Sequence, residues 1–153
     1  MNVLITGAAS QLGQQIIAAL VSNHQLRLLD STMPDIKHEN LEFIPGSIVD
    51  PKIANEAIQS IDVLIHTGEP PQSLPQDPLK RGQMLLDLAT RGTHVLFKAA
   101  VEAGVKRFIY GSTLEIFGSY PDNIYISEFH KPLPTPEIHQ MTRYLGELTC
   151  REF

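Results

Sequence analysis

The chain has 153 residues, a formal net charge of −5 and an ordinary apolar share of 42%. A chain of that length forms one domain, burying about two-thirds of the surface its unfolded form exposes, so residues 1–153 are expected to make a single unit. With no block of like charges, a nucleic-acid surface and a polybasic membrane contact are excluded, and the single cysteine, Cys150, excludes an internal disulfide.

No apolar run approaches membrane-spanning length. No basic segment precedes an apolar core at the N-terminus, so a secretory leader is not expected and cytoplasm is the expected location. Val3, Leu4 and Ile5 form a short strand that stops at Thr6-Gly7, and Gln11 to Asn23 then carry Leu12, Ile16, Ile17 and Leu20 at helical spacing. The period switches inside TGAASQLG. Gly7 permits the sharp turn out of the strand, and Gly13 lets the helix pack close to the sheet. The first-turn amides and the positive end of the helix dipole then face whatever lies above the turn, which makes a site for a pyrophosphate. Leu26, Leu28 and Leu29 form a second strand closed by Asp30, spaced as an acid that accepts from the adenosine ribose 2′-OH of NAD. A 2′-phosphate is repelled there, so NAD is expected rather than NADP. Read alone, the two glycines mark only a turn, and Ser10 stands where the middle glycine of a dinucleotide fingerprint is expected.

Leu41, Phe43 and Ile44 predict a third strand ended by Pro45-Gly46. Asp50 is placed as an N-cap with Pro51 at the first helical position, and Ile53, Ala54, Ala57, Ile58 and Ile61 share one face of the helix that follows. DVLIHTGE, from Asp62, reads as a fourth strand buried on both faces, as a parallel sheet covered by helices requires. The proline-dense stretch from Glu69 to Pro78 is a loop at a strand's carboxyl end, either an active-site lip or plain surface. A long helix from about Leu79 to Gly104 carries a wide apolar stripe including Met84, Leu85, Leu88, Val95 and Leu96, and Gly104 is its C′ stop. Phe108, Ile109 and Tyr110 form a fifth strand ending at Gly111-Ser112-Thr113. Residues 119–136 are irregular, and a last helix from Glu137 to Phe153 places Ile138, Met141, Leu145 and Leu148 at helical spacing. Strands alternating with helices argue for an α/β fold, a doubly wound Rossmann-type parallel sheet of order 3-2-1-4-5 with helices on both faces.

Five segments in order resemble the extended short-chain dehydrogenase/reductase family, the NAD-dependent epimerases and dehydratases that act on nucleotide sugars. TGAASQLG is similar to the family's TGxxGxxG, and DVLIHTGE to its DVVxHxAA strand. RGTHVLFKAAVEAGVKRFIYGST resembles its xGTxNVLxAAxxxGVxRFVYxSS block, EIFG its xVYG, and RYLGELTCREF its KxxxExxxxxx helix. The resemblance implies that Gly7, Ser10, Gln11, Leu12 and Gly13 cradle the pyrophosphate and that Asp30 binds the ribose. It places Ser47 and Ile48 beside adenine and Thr67 and Gly68 along the cofactor after the fourth strand. Thr113 takes the place of the hydroxyl that bonds the substrate's reacting oxygen.

At the family's catalytic Tyr and Lys, counted back from Gly146-Glu147, this chain has His139 and Arg143. The i, i+4 spacing still puts both on one helix face. An imidazole starts near pKa ~6.5 and a neighbouring guanidinium lowers it, so His139 is expected to be a base and a poor acid. Arg143 keeps the charge that would hold the nicotinamide ribose, in a different shape from an ammonium. Thr113, His139 and Arg143 are thus the candidate catalytic residues of an oxidoreductase acting on a sugar-like hydroxyl. The alternatives are a non-catalytic dinucleotide-binding sensor or interaction module, an empty scaffold, and a reading of His139 and Arg143 as polar residues on an exposed helix face. The family's supporting Asn is Ala89 here, and the chain stops before the sixth strand and the smaller C-terminal substrate domain. A homodimer through the 79–104 and 137–153 helices is implied. The scattered histidines have no metal-ligand spacing, so no metal is expected. His66 reads as a core residue with one satisfied nitrogen, and Cys150 as a packing residue.

Overall fold

A computed structural model describes all 153 residues. The strands are β1 (Asn2–Thr6), β2 (Gln25–Asp30), β3 (Leu41–Pro45), β4 (Val63–His66) and β5 (Arg107–Tyr110), all parallel in the order β3-β2-β1-β4-β5. The expected topology is therefore the observed one. The helices are α1 (Gln11–Leu20), α2 (Pro51–Ala57), α3 (Pro78–Asp87), α4 (Thr93–Glu102) and α5 (Ile138–Cys150).

The period of two along β1 divides the core. Leu4 faces a cluster with Leu29, Leu64, Ala54, Ile58 and Leu96 from neighbouring strands, α2 and α4. Val3 and Ile5 face the opposite cluster with Ile17, Leu26 and Leu28, which α1 covers. All four residues Val3–Thr6 are buried, as the central strand of a sheet covered on both sides must be. Asp50 caps α2 by accepting from the Lys52 amide at 2.8 Å, with Pro51 at the first helical position as expected. Gly104, at φ +77°, closes α4.

Two expectations are corrected. The first helix ends at Leu20, with the chain already in turns by Asn23. The long helix is not uniform: between α3 and α4 the five residues Leu88–Gly92 form a π turn, where Gly92 lies so close to Ile48 and Val49 that a side chain would collide. In α5 the buried positions are Arg143 and Gly146, whereas Ile138 and Leu148 are exposed, as the dimer-facing reading of that helix requires. Met141, Leu145 and Cys150 are half-buried between those two faces.

Candidate nucleotide-binding cleft

The parallel strands deliver their carboxyl ends to one edge, and a cleft opens there across β2, β1 and β4. On the β2 side Gly7 turns the chain with φ +68° at a point where a Cβ would collide with the Thr67 hydroxyl. Gly13 is equally constrained, because a side chain would run into the carbonyls of Gly7 and Ala8. Ser10 is the N-cap of α1: its Oγ accepts from the Gly13 amide at 3.0 Å and donates to the Gly7 carbonyl at 2.7 Å. The hydroxyl that replaces the missing glycine is thus consumed inside the turn. The amides of Gln11 and Leu12 have no acceptor within the chain and remain available at the positive end of the helix.

Asp30 lies at the same level, 8% exposed and lining the cleft. Its Oδ2 accepts from the Ala9 amide at 2.9 Å, and its Oδ1 from the Thr32 amide at 3.2 Å and the Ser31 hydroxyl at 3.3 Å. An ionised carboxylate has about four acceptor positions, so capacity remains for a ligand hydroxyl. Ser47 and Ile48 line the cleft beyond it.

On the other side the register pairs Thr6 with His66 and His66 with Tyr110. His66 Nδ1 lies 2.6 Å from the Thr6 hydroxyl and Nε2 lies 3.2 Å from that of Thr93, so both nitrogens are satisfied rather than the one expected. The Thr93 hydroxyl also reaches the Leu88 carbonyl at 3.4 Å. Burial, reinforced by the nearby Arg143 charge, lowers His66 to a pKa of about 3 and keeps it neutral. Tyr110 also lines the cleft, its phenol pushed up to about 12 by burial against the opposing pull of Arg143. A side chain at Gly146 would collide with that phenol, which explains the small residue at this turn of α5.

Arg143 is not on an exposed face: it is 3% exposed and reaches beneath the loop that follows β4. Its Nη1 donates to the carbonyls of Thr67 at 3.0 Å and Gly111 at 3.2 Å, and its Nη2 pairs with Glu69 Oε1 at 2.6 Å. Gly68, at φ +66°, has no room for a side chain beside that guanidinium. His139 lines the same cleft one helical turn earlier, half-exposed, with Nε2 3.4 Å from Glu115 Oε2. Gly7, Asp30, Ser47, Ile48, Gly68, His139 and Arg143 therefore share one cleft, which Ala89 also borders. Thr67 is buried just beneath it, its hydroxyl accepting from the Glu69 amide at 3.2 Å.

Thr113 is placed apart. It caps the short 3₁₀ turn Leu114–Phe117 and borders a separate hollow with Glu128, His130 and Glu147. Cys150 packs against the core, its thiol pushed up to about 12 by burial and by the Glu147 carboxylate. Glu69, Pro70 and Pro71 of the 69–78 loop line the cleft, as an active-site lip does, but the individual contacts of Glu69 and of Gln72, which donates to the Ala9 carbonyl, were not singled out from the sequence. An acid immediately after an apolar strand, in a chain with a cation at the family's Lys position, was the available signal for Glu69. Nothing local marks Gln72.

A model of the NAD dependent epimerase/dehydratase family matches residues 3–153. The chain belongs to that family. The uncharacterized protein y4nG of Sinorhizobium fredii is 28% identical over 151 residues, 97% of this chain and 36% of that protein. Among solved structures, a short-chain dehydrogenase/reductase superfamily protein from Agrobacterium tumefaciens with bound NAD is 27% identical, with a TM-score of 0.82 over 99% of this chain and 44% of its own. Uronate dehydrogenase from the same organism, 24% identical, shares the fold with a TM-score of 0.83 over 99% of this chain and 55% of its own. This member of the epimerase/dehydratase family thus spans between about a third and a little over half of these relatives.

Proposed function

We propose that the chain binds an adenine dinucleotide, NAD in preference to NADP, at the edge formed by β2, β1 and α1. The observation that carries this reading is that Asp30, which lines the cleft, is fastened to the Ala9 amide of the glycine turn, directly ahead of the helix start whose Gln11 and Leu12 amides are unused. The amides would take a diphosphate and the carboxylate would take a ribose hydroxyl while repelling a 2′-phosphate. The NAD-bound relative of the same fold supports the cofactor choice. Calorimetry on the purified chain tests it: heat of binding is expected with NAD and a much weaker response with NADP. Silence with both at millimolar concentration would leave only an empty scaffold.

A second reading is oxidoreductase chemistry on a sugar-like hydroxyl, favoured by family membership and by the place of a half-exposed His139 in the cleft. It requires Thr113, His139 and Arg143 around one reacting oxygen. Thr113 borders a different hollow and Arg143 is bound to Glu69, so the residues of this chain support binding without turnover better. The expected result is NAD binding with no reduction of the cofactor in the presence of uronates or nucleotide sugars. Turnover lost in Thr113→Ala would establish the catalytic reading instead. Homodimerisation through α3–α4 and α5 belongs to the proposal, since Leu79, Leu86, Ile138 and Leu148 lie exposed on those helices, and light scattering at high concentration checks it. So does a cytoplasmic location; no helix is long and apolar enough to cross a membrane.

A further inference from the structure

A dinucleotide in a doubly wound sheet lies across the crevice, one half against β1–β2 and the other toward the strands beyond β1. The first half fits this chain, and the second does not. On the β4–β5 side the segment Glu69-Pro70-Pro71-Gln72 crosses the cleft and is fastened at both ends. Glu69 Oε1 is held by Arg143 Nη2 at 2.6 Å, and Gln72 Nε2 donates to the Ala9 carbonyl at 2.8 Å in the glycine turn itself. The two prolines between them line the cleft and each fixes its own φ, which stiffens the span. Arg143, the one cation that could grip a second ribose, keeps only 4% of its side chain exposed and has donated to two carbonyls and a carboxylate.

We infer that residues 69–72 stand in the place of the nicotinamide half, and that the ligand recognised is the adenosine diphosphate portion alone, a nucleotide of the ADP or ADP-ribose type. This rests on the dinucleotide reading of the β2 side. Asp30 and the amides of Gln11 and Leu12 offer partners to a ribose and a diphosphate, whereas across the cleft the Arg143 guanidinium is already bound to Thr67, Gly111 and Glu69.

Calorimetry on the full chain with NAD, ADP-ribose, ADP and nicotinamide mononucleotide tests the inference. NAD and ADP-ribose are expected to bind within about threefold of one another, ADP comparably, and the mononucleotide not at all. NAD binding ten-fold or more tighter than ADP-ribose would overturn the inference and leave the dinucleotide reading intact; no binding by any adenine nucleotide would overturn both. Two variants sharpen it. Gln72→Ala frees one end of the span without touching the buried ion pair, and Glu69→Gln frees the other. Each, shown folded by circular dichroism, is expected to raise the NAD to ADP-ribose affinity ratio several-fold; an unchanged ratio in both would overturn the claim that the span occupies that side.

Discussion

The two sides of the cleft are built from similar parts, a strand end followed by an acid, yet the acids are handled oppositely. Asp30 accepts only from neutral donors, the amides of Ala9 and Thr32 and the hydroxyl of Ser31, and pairs with no cation. Glu69 is paired with a buried guanidinium that is itself saturated by carbonyls. A carboxylate oriented by neutral donors keeps its charge and spare lone pairs for a ligand, whereas one neutralised by a buried cation serves the fold. The proposed binding role and the structural one thus fall on β2 and β4, on either side of β1.

The largest test of that division is Arg143→Ala. Removing a buried cation that holds two carbonyls and Glu69 is expected to cost about 3 kcal/mol of stability or more, read as a lower midpoint in urea with an unchanged slope. Nucleotide affinity measured well below that midpoint is expected to hold, and a parallel loss of affinity would show that the two sides are one unit. Next is Asp30→Ala, which deletes the charged acceptor on the binding side. About 10- to 100-fold weaker nucleotide binding is expected by calorimetry, from the loss of about 1.5–3 kcal/mol typical of a hydrogen bond to a charged group. Retained affinity would remove Asp30 from the site.

A third test uses pH and addresses the β4 side alone. His66 has a pKa of about 3 when folded against 6.5 as its ordinary value. Between those values the unfolded chain binds the extra proton, so the stability this residue contributes is full above its ordinary pKa and declines as pH falls toward the folded one. The slope is at most about 1.4 kcal/mol per pH unit. Chemical denaturation from pH 7 to pH 4 is expected to show this decline, flattened in His66→Gln; equal slopes in both proteins would assign acid sensitivity elsewhere. The smallest effect belongs to Ser10→Gly. It removes the cap on Gly13 at a cost of a few tenths of a kcal/mol and frees the turn for closer approach, so nucleotide affinity should hold or rise slightly. A marked loss would make the Ser10 hydroxyl a direct ligand group.

Much of this was legible in the chain itself. The switch from strand to helical period across Gly7–Gly13, the acid closing β2, and the Asp50-Pro51 cap are local patterns whose geometry follows from neighbouring residues, and each is found as expected. The order of the sheet followed from the alternation of strands and helices. The π turn was not legible, because it arises where Gly92 meets Ile48 and Val49, which lie more than forty residues away in sequence.

Sequence by itself determined the parallel sheet, the glycine turn and the acid at the end of β2, because those depend on period, backbone freedom and spacing within a few residues. Tertiary structure alone decided which way α5 faces, that Arg143 is buried against Glu69 and two carbonyls, that Gln72 reaches the glycine turn, and that Thr113 lies outside the cleft. Those depend on partners far away along the chain, where burial turns a polar side chain into either an internal fastening or a site, and no local pattern records which.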